Sequence, residues 1–233
     1  MKSVHARSDS EPQTLRLSID TKAKVKIGEF SRGGRLRCYA PIKALDHDMK
    51  PAGILVPFGI LEVKQKQFNV IYGNSIETSD FIVDGIKYWW RYNKYRYRNI
   101  TRLQIDLDNG PEIESHRTQF IKRMVEFVDQ NNLTVELVYY PPYHSKYNPV
   151  EHCWGVLETH WSGALLTDLG AVREWTKSMR WAGIAPNVYF LDKQYSRGVK
   201  LSAKEMKSYS KRLQRTPKIE RWSLVIEPKK MSG

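Results

Sequence analysis

Cysteine is scarce in this chain. Cys38 and Cys153 lie far apart and in no CxxC pattern, which argues against a disulfide framework and a cysteine-built zinc site. A reducing cytoplasm is the default expectation. Long apolar runs are missing too. None approaches the ~18 residues that cross a bilayer as a helix, and the most apolar stretch, 51–63, is cut by Gly53, Pro57 and Gly59. The first twelve residues are charged and polar with no apolar block, so no secretory signal and no membrane partner are expected. Negative charge is also in short supply.

Lys and Arg total 38 against 25 Asp and Glu, a net charge of +13, while 41% hydrophobic content in 233 residues suffices for a real core. The positive charge is clustered, as a surface that tracks phosphates requires. Lys87, Arg91, Lys94, Arg96, Arg98 and Arg102 fall in one stretch with no acidic residue, and 200–233 holds ten basic and three acidic residues. Within 89–98, cations alternate with Trp89, Trp90, Tyr92, Tyr95 and Tyr97, a composition suited to phosphate contact and base stacking. The bland alternative is a core-facing helix end with solvated charges.

Residues 1–14 read as a flexible leader. Leu15, Leu17 and Ile19 alternate with Arg16, Ser18 and Asp20, the period of a half-buried strand. A short strand is expected at 25–30, a loop-rich stretch with three prolines at 36–63, and a strand at 67–72. Thr78-Ser79-Asp80 caps a helix through Trp90, and 103–108 is a strand stopped by Asn109-Gly110-Pro111. A helical stripe fills 115–131, a strand follows at 135–140, and Asn148-Pro149 starts a helix reaching Trp161. Strand and helix alternate from 103 to 161, which argues for parallel strands in an α/β sheet. Beyond 162, helices are expected at 169–179 and 202–215 and a strand at 222–226.

Two strands end in aspartate. Arg16, Ser18 and Asp20 share one face of the first; Gln104, Asp106 and Asp108 share the corresponding face of the other. If the strands are parallel neighbours, Asp20 and Asp108 meet at the carboxyl edge of the sheet, where open α/β sheets place ligands. Two such carboxylates repel and need either a shared proton or a divalent cation, and hard oxygen ligands select Mg²⁺ or Mn²⁺. Either aspartate alone reads more readily as a turn cap; the matching geometry of the two is what raises the functional reading beside it. Glu151, in the first turn of the next helix, lies toward the same edge.

The segments Ser18-Ile19-Asp20-Thr21-Lys22-Ala23-Lys24, Asp108-Asn109-Gly110-Pro111-Glu112 and Pro141 through Trp154 carry a resemblance. They resemble bacterial insertion-sequence DDE transposases of the broad mariner-like group, and in particular the Rhodopirellula-type transposase family. The resemblance runs from Leu15 nearly to the end, and its most specific block is Pro-Pro-Tyr…Asn-Pro-Val-Glu-His. It implies an RNase H-like fold, a mixed five-stranded sheet flanked by helices, over 15–165, with 166–233 as a basic C-terminal extension. It places the catalytic and metal-holding triad on Asp20, Asp108 and Glu151, with two Mg²⁺ (or Mn²⁺) ions bridged by Asp20. The implied activity is metal-dependent DNA strand cleavage and strand transfer, on element ends and target DNA, by a homodimer in a bacterial, nucleoid-associated setting.

Transposases of this kind carry end-reading helix-turn-helix modules ahead of the catalytic domain. Here the first aspartate is residue 20, so the expectation is a decayed or truncated copy that could be inactive, or a separately translated catalytic piece. Asp106 competes with Asp108, being on the same strand face, and Glu158 competes more weakly with Glu151. His144 and His152 could touch DNA or a metal, or serve as hydrogen-bonding scaffold; Trp154 and Trp161 read as core. Arg91, Lys94, Arg96, Arg98, His144 and Lys146 are the candidate DNA contacts. A non-catalytic nucleic-acid-binding remnant and an RNase H-like nuclease are the alternative functions.

Overall fold

The structure is a computed structural model describing residues 2–34, 50–141, 147–217 and 219–229. His144 and Lys146 lie outside the described residues. The chain begins with α1 (Lys2–Ser10), then β1 (Thr14–Thr21), β2 (Val25–Ile27), β3 (Gly53–Glu62) and β4 (Gln67–Gly73). There follow α2 (Ser79–Asn93), a 3₁₀ turn over Lys94–Tyr97, β5 (Arg102–Leu107), α3 (Thr118–Asn131), β6 (Thr134–Tyr139) and α4 (Pro149–His160). The last part holds α5 (Leu169–Ser178), β7 (Asn187–Leu191), α6 (Ala203–Ser210), β8 (Leu213–Arg215) and β9 (Ser223–Ile226).

The central strand order is β4-β3-β1-β5-β6. β3 is antiparallel to both β1 and β4, while β5 is parallel to β1 and β6 parallel to β5. That is the expected RNase H-like mixed sheet. The described sheet is wider than the five strands expected. β7 adds in parallel to β4 at one edge, β9 and β8 extend the other beyond β6, and β2 pairs with β3 off this path. Residues after 166, read as a basic extension, thus supply strands to both edges.

Two hydrophobic layers hold the sheet. On one face, Leu15, Leu17, Ile19, Leu103, Ile105 and Leu107 pack against the stripes of α2 and α3, where Trp89, Phe120 and Phe127 are fully buried. On the other, Phe68, Val70 and Tyr72 of β4 meet Val150, Trp154, Leu157 and Trp161 from α4 and its C-terminal end. Trp154 and Trp161 are core, as expected.

Three expectations need correction. The stretch 36–63 was read as loop-rich because of its prolines, yet it contains the ten-residue β3. This strand is covered on both faces, so its apolar run shows no alternation. Pro57 is tolerated because β3 changes partner there, from β2 at Leu55 to β1 at Phe58. The Pro57 carbonyl accepts from Lys22 N–H at 3.0 Å, and the N–H it lacks would face the same changeover. Second, residues 2–10 form α1 instead of a loose leader. This helix has no apolar stripe to betray it. It is fixed by polar contacts: Arg7 Nη2 to Glu136 at 2.6 Å, His5 Nε2 to Asp106 at 3.4 Å, and Ser8 donating to Gln104. Third, the helix expected at 202–215 stops at Ser210 and is followed by β8; Ser202 and Glu205 close a capping box at its start.

Gly59 is where α4 comes closest to the sheet. A Cβ there would sit 2.6 Å from the Trp154 ring and 3.0 Å from the Phe68 ring. Both rings are themselves locked in an edge-on contact with centroids 5.1 Å apart. Gly59→Ala should therefore destabilise the protein by about 1–3 kcal/mol, as overpacked cores do. Urea unfolding of the variant beside the parent checks this; an unchanged midpoint would mean that α4 moves away freely.

Candidate active site

Asp20 is the next-to-last residue of β1, and its register partner on β3 is Gly59. On the other side β1 pairs in parallel with β5, Ser18 lying level with Asp106. Continuing that register by one pleat brings Asp20 level with Asp108, which lies just beyond the end of β5. Asp108 is half-buried, and its Oδ1 accepts from Gly110 N–H at 3.1 Å, closing the Asp-Asn-Gly turn.

Glu151 is delivered by α4, and a serine does much of the positioning. The Ser18 hydroxyl is fully buried on the strand face of Asp20. It accepts from Val150 N–H at 2.9 Å and donates to Asn148 Oδ1. Asn148 Nδ2 in turn donates to the Ile19 carbonyl at 3.0 Å. Asn148 occupies the N-cap position but makes no side-chain cap bond to its own helix. Ser18 stands in as the acceptor for a first-turn amide, so the helix start is stitched directly onto β1. Neither Ser18 nor Asn148 was singled out by sequence reasoning, although Ser18 shares the Asp20 face and Asn148 directly precedes the N1 proline.

The electrostatics of Asp20 follow from this placement. Its carboxyl is pushed up to about 8, first by burial, then by the negative charges of Glu151 and Asp108. A backbone hydrogen bond at Thr21 opposes the rise, and Glu77 adds to it. Glu77 is a fourth carboxylate at this edge, also missed from the sequence; it accepts from Thr21 Oγ1 at 2.8 Å. Carboxylates whose charges reach one another are a donor set of hard oxygens, the chemistry that suits Mg²⁺ or Mn²⁺. Among the described residues, no three His, Cys, Asp or Glu side chains converge tightly enough to enclose a metal.

The competitors fall elsewhere. Asp106 is fully buried and already engaged: Arg16 Nε donates to it at 2.7 Å and Gln104 Nε2 at 2.7 Å, with His5 nearby. Glu158 is exposed two turns along α4, where its charge acts on Arg32. His152 is exposed and lines a shallow cavity of about 640 Å³ with Glu151, Gly155, Val156, Thr159, His160 and Trp181. Arg91, Lys94, Arg96 and Arg98 are not brought to this edge. Arg96 reaches Glu62 at 3.5 Å, at the opposite end of β3 and on the α2 face of the sheet.

The mixed sheet thus presents Asp20 and Asp108 at the carboxyl ends of β1 and β5, with Glu151 in the first turn of the facing helix. The Rhodopirellula transposase DDE domain profile matches residues 2–228, and the chain belongs to that family. No curated protein matches it significantly. Among solved structures, the Mos1 strand transfer complex is similar at 10% identity, over 74% of this chain and 48% of that one, with a TM-score of 0.48. The Mos1 mariner paired end complex with Mn is similar at 11% identity, over 75% and 50%, also at 0.48. A simian T-cell lymphotropic virus intasome in complex with PP2A regulatory subunit B56 gamma is similar at 14% identity, over 76% and 58%, at 0.41. The chain spans about half the length of the Mos1 chains it matches. No helix among the described residues is long and apolar enough to cross a membrane.

Two outcomes follow from the geometry. Because the folded Asp20 binds its proton more tightly than the unfolded chain does, its own contribution to stability is fully present at acid pH and is lost as pH rises from about 4 toward 8. Asp20→Asn should flatten that decline, and in chelator-containing buffer at pH 8 it should raise Tm by roughly 2–8 °C. An Asn variant that melts below the parent at pH 8 would count against a buried charge at this position. Separately, Ser18→Ala should cost about 1–3 kcal/mol by leaving a buried amide and Asn148 unpartnered. Ser18→Thr, which keeps the hydroxyl, should recover part of that loss in the same denaturation experiment.

Proposed function

We propose that this domain carries out metal-dependent phosphoryl transfer on DNA, cleaving a strand and joining the freed 3′-hydroxyl to a target, with Asp20, Asp108 and Glu151 as its catalytic and metal-holding residues. The observation that carries this reading is placement: the β1–β5 register brings Asp20 level with Asp108, and the start of the Glu151 helix is hydrogen-bonded to β1 beside them, where burial and the two neighbouring carboxylates raise the Asp20 carboxyl. Membership of a DDE-domain family supports it.

Asp20, whose charge meets both of the others, would hold the divalent metal together with Asp108 and Glu151. When bound, such a metal makes an attacking water or 3′-hydroxyl more nucleophilic and compensates charge on the leaving oxygen. The chain's own part is positional. The β1–β5 register sets the separation of Asp20 and Asp108, and the Ser18–Asn148 stitch holds the start of α4. We take residues 15–165 as the catalytic core and 166–233 as a basic extension that completes the sheet edges. DNA is the proposed substrate, and a homodimer the proposed working form.

The test is nicking of supercoiled plasmid with Mg²⁺ or Mn²⁺, beside Asp20→Asn, Asp108→Asn and Glu151→Gln. Each substitution should lower the metal-dependent rate at least about 100-fold. Nicking that survives all three would place the active site elsewhere. Binding without any nicking would favour a non-catalytic DNA binder, and cleavage confined to RNA–DNA hybrids a nuclease of RNase H type.

A further inference from the structure

The end of the sheet remote from Asp20 carries a second charged surface. α2 starts at the Asp20 edge, where Thr21 bonds Glu77 and Ser79 Oγ donates to the Glu112 carbonyl at 2.6 Å. Its 15 residues then run about 22 Å along the face opposite α4. It ends in the segment where cations and aromatics alternate. Trp89 and Trp90 of that segment are buried in the core, so they are not a stacking platform. The remainder faces out: Arg91, Lys94, Arg96 and Arg98 are exposed, as are Tyr92 (48%) and Tyr95 (65%).

The charge balance there is one-sided. Among the described residues Lys94 and Arg98 have no ion pair or side-chain hydrogen bond, and neither do Lys64 and Lys66 on the β3–β4 turn at the same end. The local carboxylate, Glu62, is fully buried and spent on Asn69, Trp89, Tyr97 and Arg96. Asp9 and Glu11, near this end but on the other face, are paired with Arg16 and Arg7. The tyrosines form a connected shelf beside the cations. Tyr88 and Tyr92 lie 4.7 Å apart, Tyr92 stacks on Tyr189 at 6.3 Å, and the Arg91 guanidinium sits 5.9 Å from the Tyr92 ring. A merely solvated helix end needs no exposed aromatic shelf. Unpaired cations interleaved with exposed rings match a phosphate backbone.

We propose that this end of the molecule is a second docking surface for duplex DNA, which engages a segment other than the one cut at the Asp20 edge. The two surfaces lie on opposite faces of the sheet, at the two ends of α2, which suits them to separate segments of DNA. Recognition through Lys64, Lys66, Arg91, Lys94 and Arg98 is of phosphate and carries no sequence information. The proposal deepens the DNA-processing reading, and its test reads binding alone.

Fluorescence anisotropy with a random-sequence 20-bp duplex, in EDTA across a salt series, compares the parent with the combined Lys64→Ala, Arg91→Ala, Lys94→Ala and Arg98→Ala variant. If those four cations touch phosphate, the slope of log affinity against log salt should fall by about 3–4. Lys94→Glu with Arg98→Glu should weaken binding further at the lowest salt. Hydrogen exchange should show DNA-dependent protection across 88–98, retained in Asp20→Asn. An unchanged salt slope, or protection confined to the Asp20 edge, would overturn the proposal. Loss of binding to an acidic protein but not to DNA would overturn it as well. Failure of the nicking assay leaves this measurement standing, so the two readings fail separately.

Discussion

A carboxylate buried beside two others is the constraint around which this structure is arranged. Two unit charges about 5 Å apart at an effective dielectric near 20 repel by roughly 3 kcal/mol. Left to itself a chain would relieve that by spreading the groups. Here the strands forbid it. Asp20 is held between β3 and β5, and the Ser18–Asn148–Ile19 hydrogen bonds hold the start of the Glu151 helix against β1. Behind these, Trp154 presses on Gly59, the β3 partner of Asp20. The rigid parts are apolar and hydrogen-bonded, and the repulsion is concentrated where a cation would remove it.

The two faces of the sheet support this differently. The α2–α3 face is apolar under both helices, and its buried glutamate, Glu62, is fully partnered. The other face is divided. Under α4 it is apolar, with Phe68, Val70 and Tyr72. Under α1 it is polar, with Arg16, Gln104, Asp106 and Glu136 all buried. A helix as polar as α1 can cover that patch because Arg7 and Ser8 meet it with an ion pair and a hydrogen bond, beside the His5 ring on Tyr140. Packing of this kind is more sensitive to salt than the opposite face.

Much of this could be read before any coordinates. Leu15 through Asp20 and Leu103 through Asp108 alternate so cleanly that both strands and their polar faces follow from the period alone. The Thr78 and Asn148-Pro149 signals located the starts of α2 and α4. What escaped had no local signature. β3 lacked alternation because it is buried on both sides, and its glycines and proline read as turns although Gly59 serves close packing and Pro57 a partner change. β7, five half-buried residues, is stabilised by pairing with β4 rather than by its own pattern. α1 has no apolar stripe. Of the site, the carboxylates were legible but their supports were not, because Ser18 and Asn148 matter only through contacts 130 residues apart.

Asp106 and Asp108 show where sequence reading reaches its limit. They are the same residue type, two apart, on one strand face, and pattern alone gives each an equal claim to the site. Their partners separate them. Asp106 lies level with Ser18 and is met by Arg16, Gln104 and His5, so its charge is already answered and a metal would have to displace a guanidinium to reach it. Asp108 lies one pleat further, past the last ladder position, where its described contact is the Gly110 amide and its charge is felt at Asp20. A neutralised carboxylate inside a sheet is architecture. Asp108, unlike Asp106, meets no cationic side chain among the described residues, and its charge adds to the load on Asp20 at the sheet's edge.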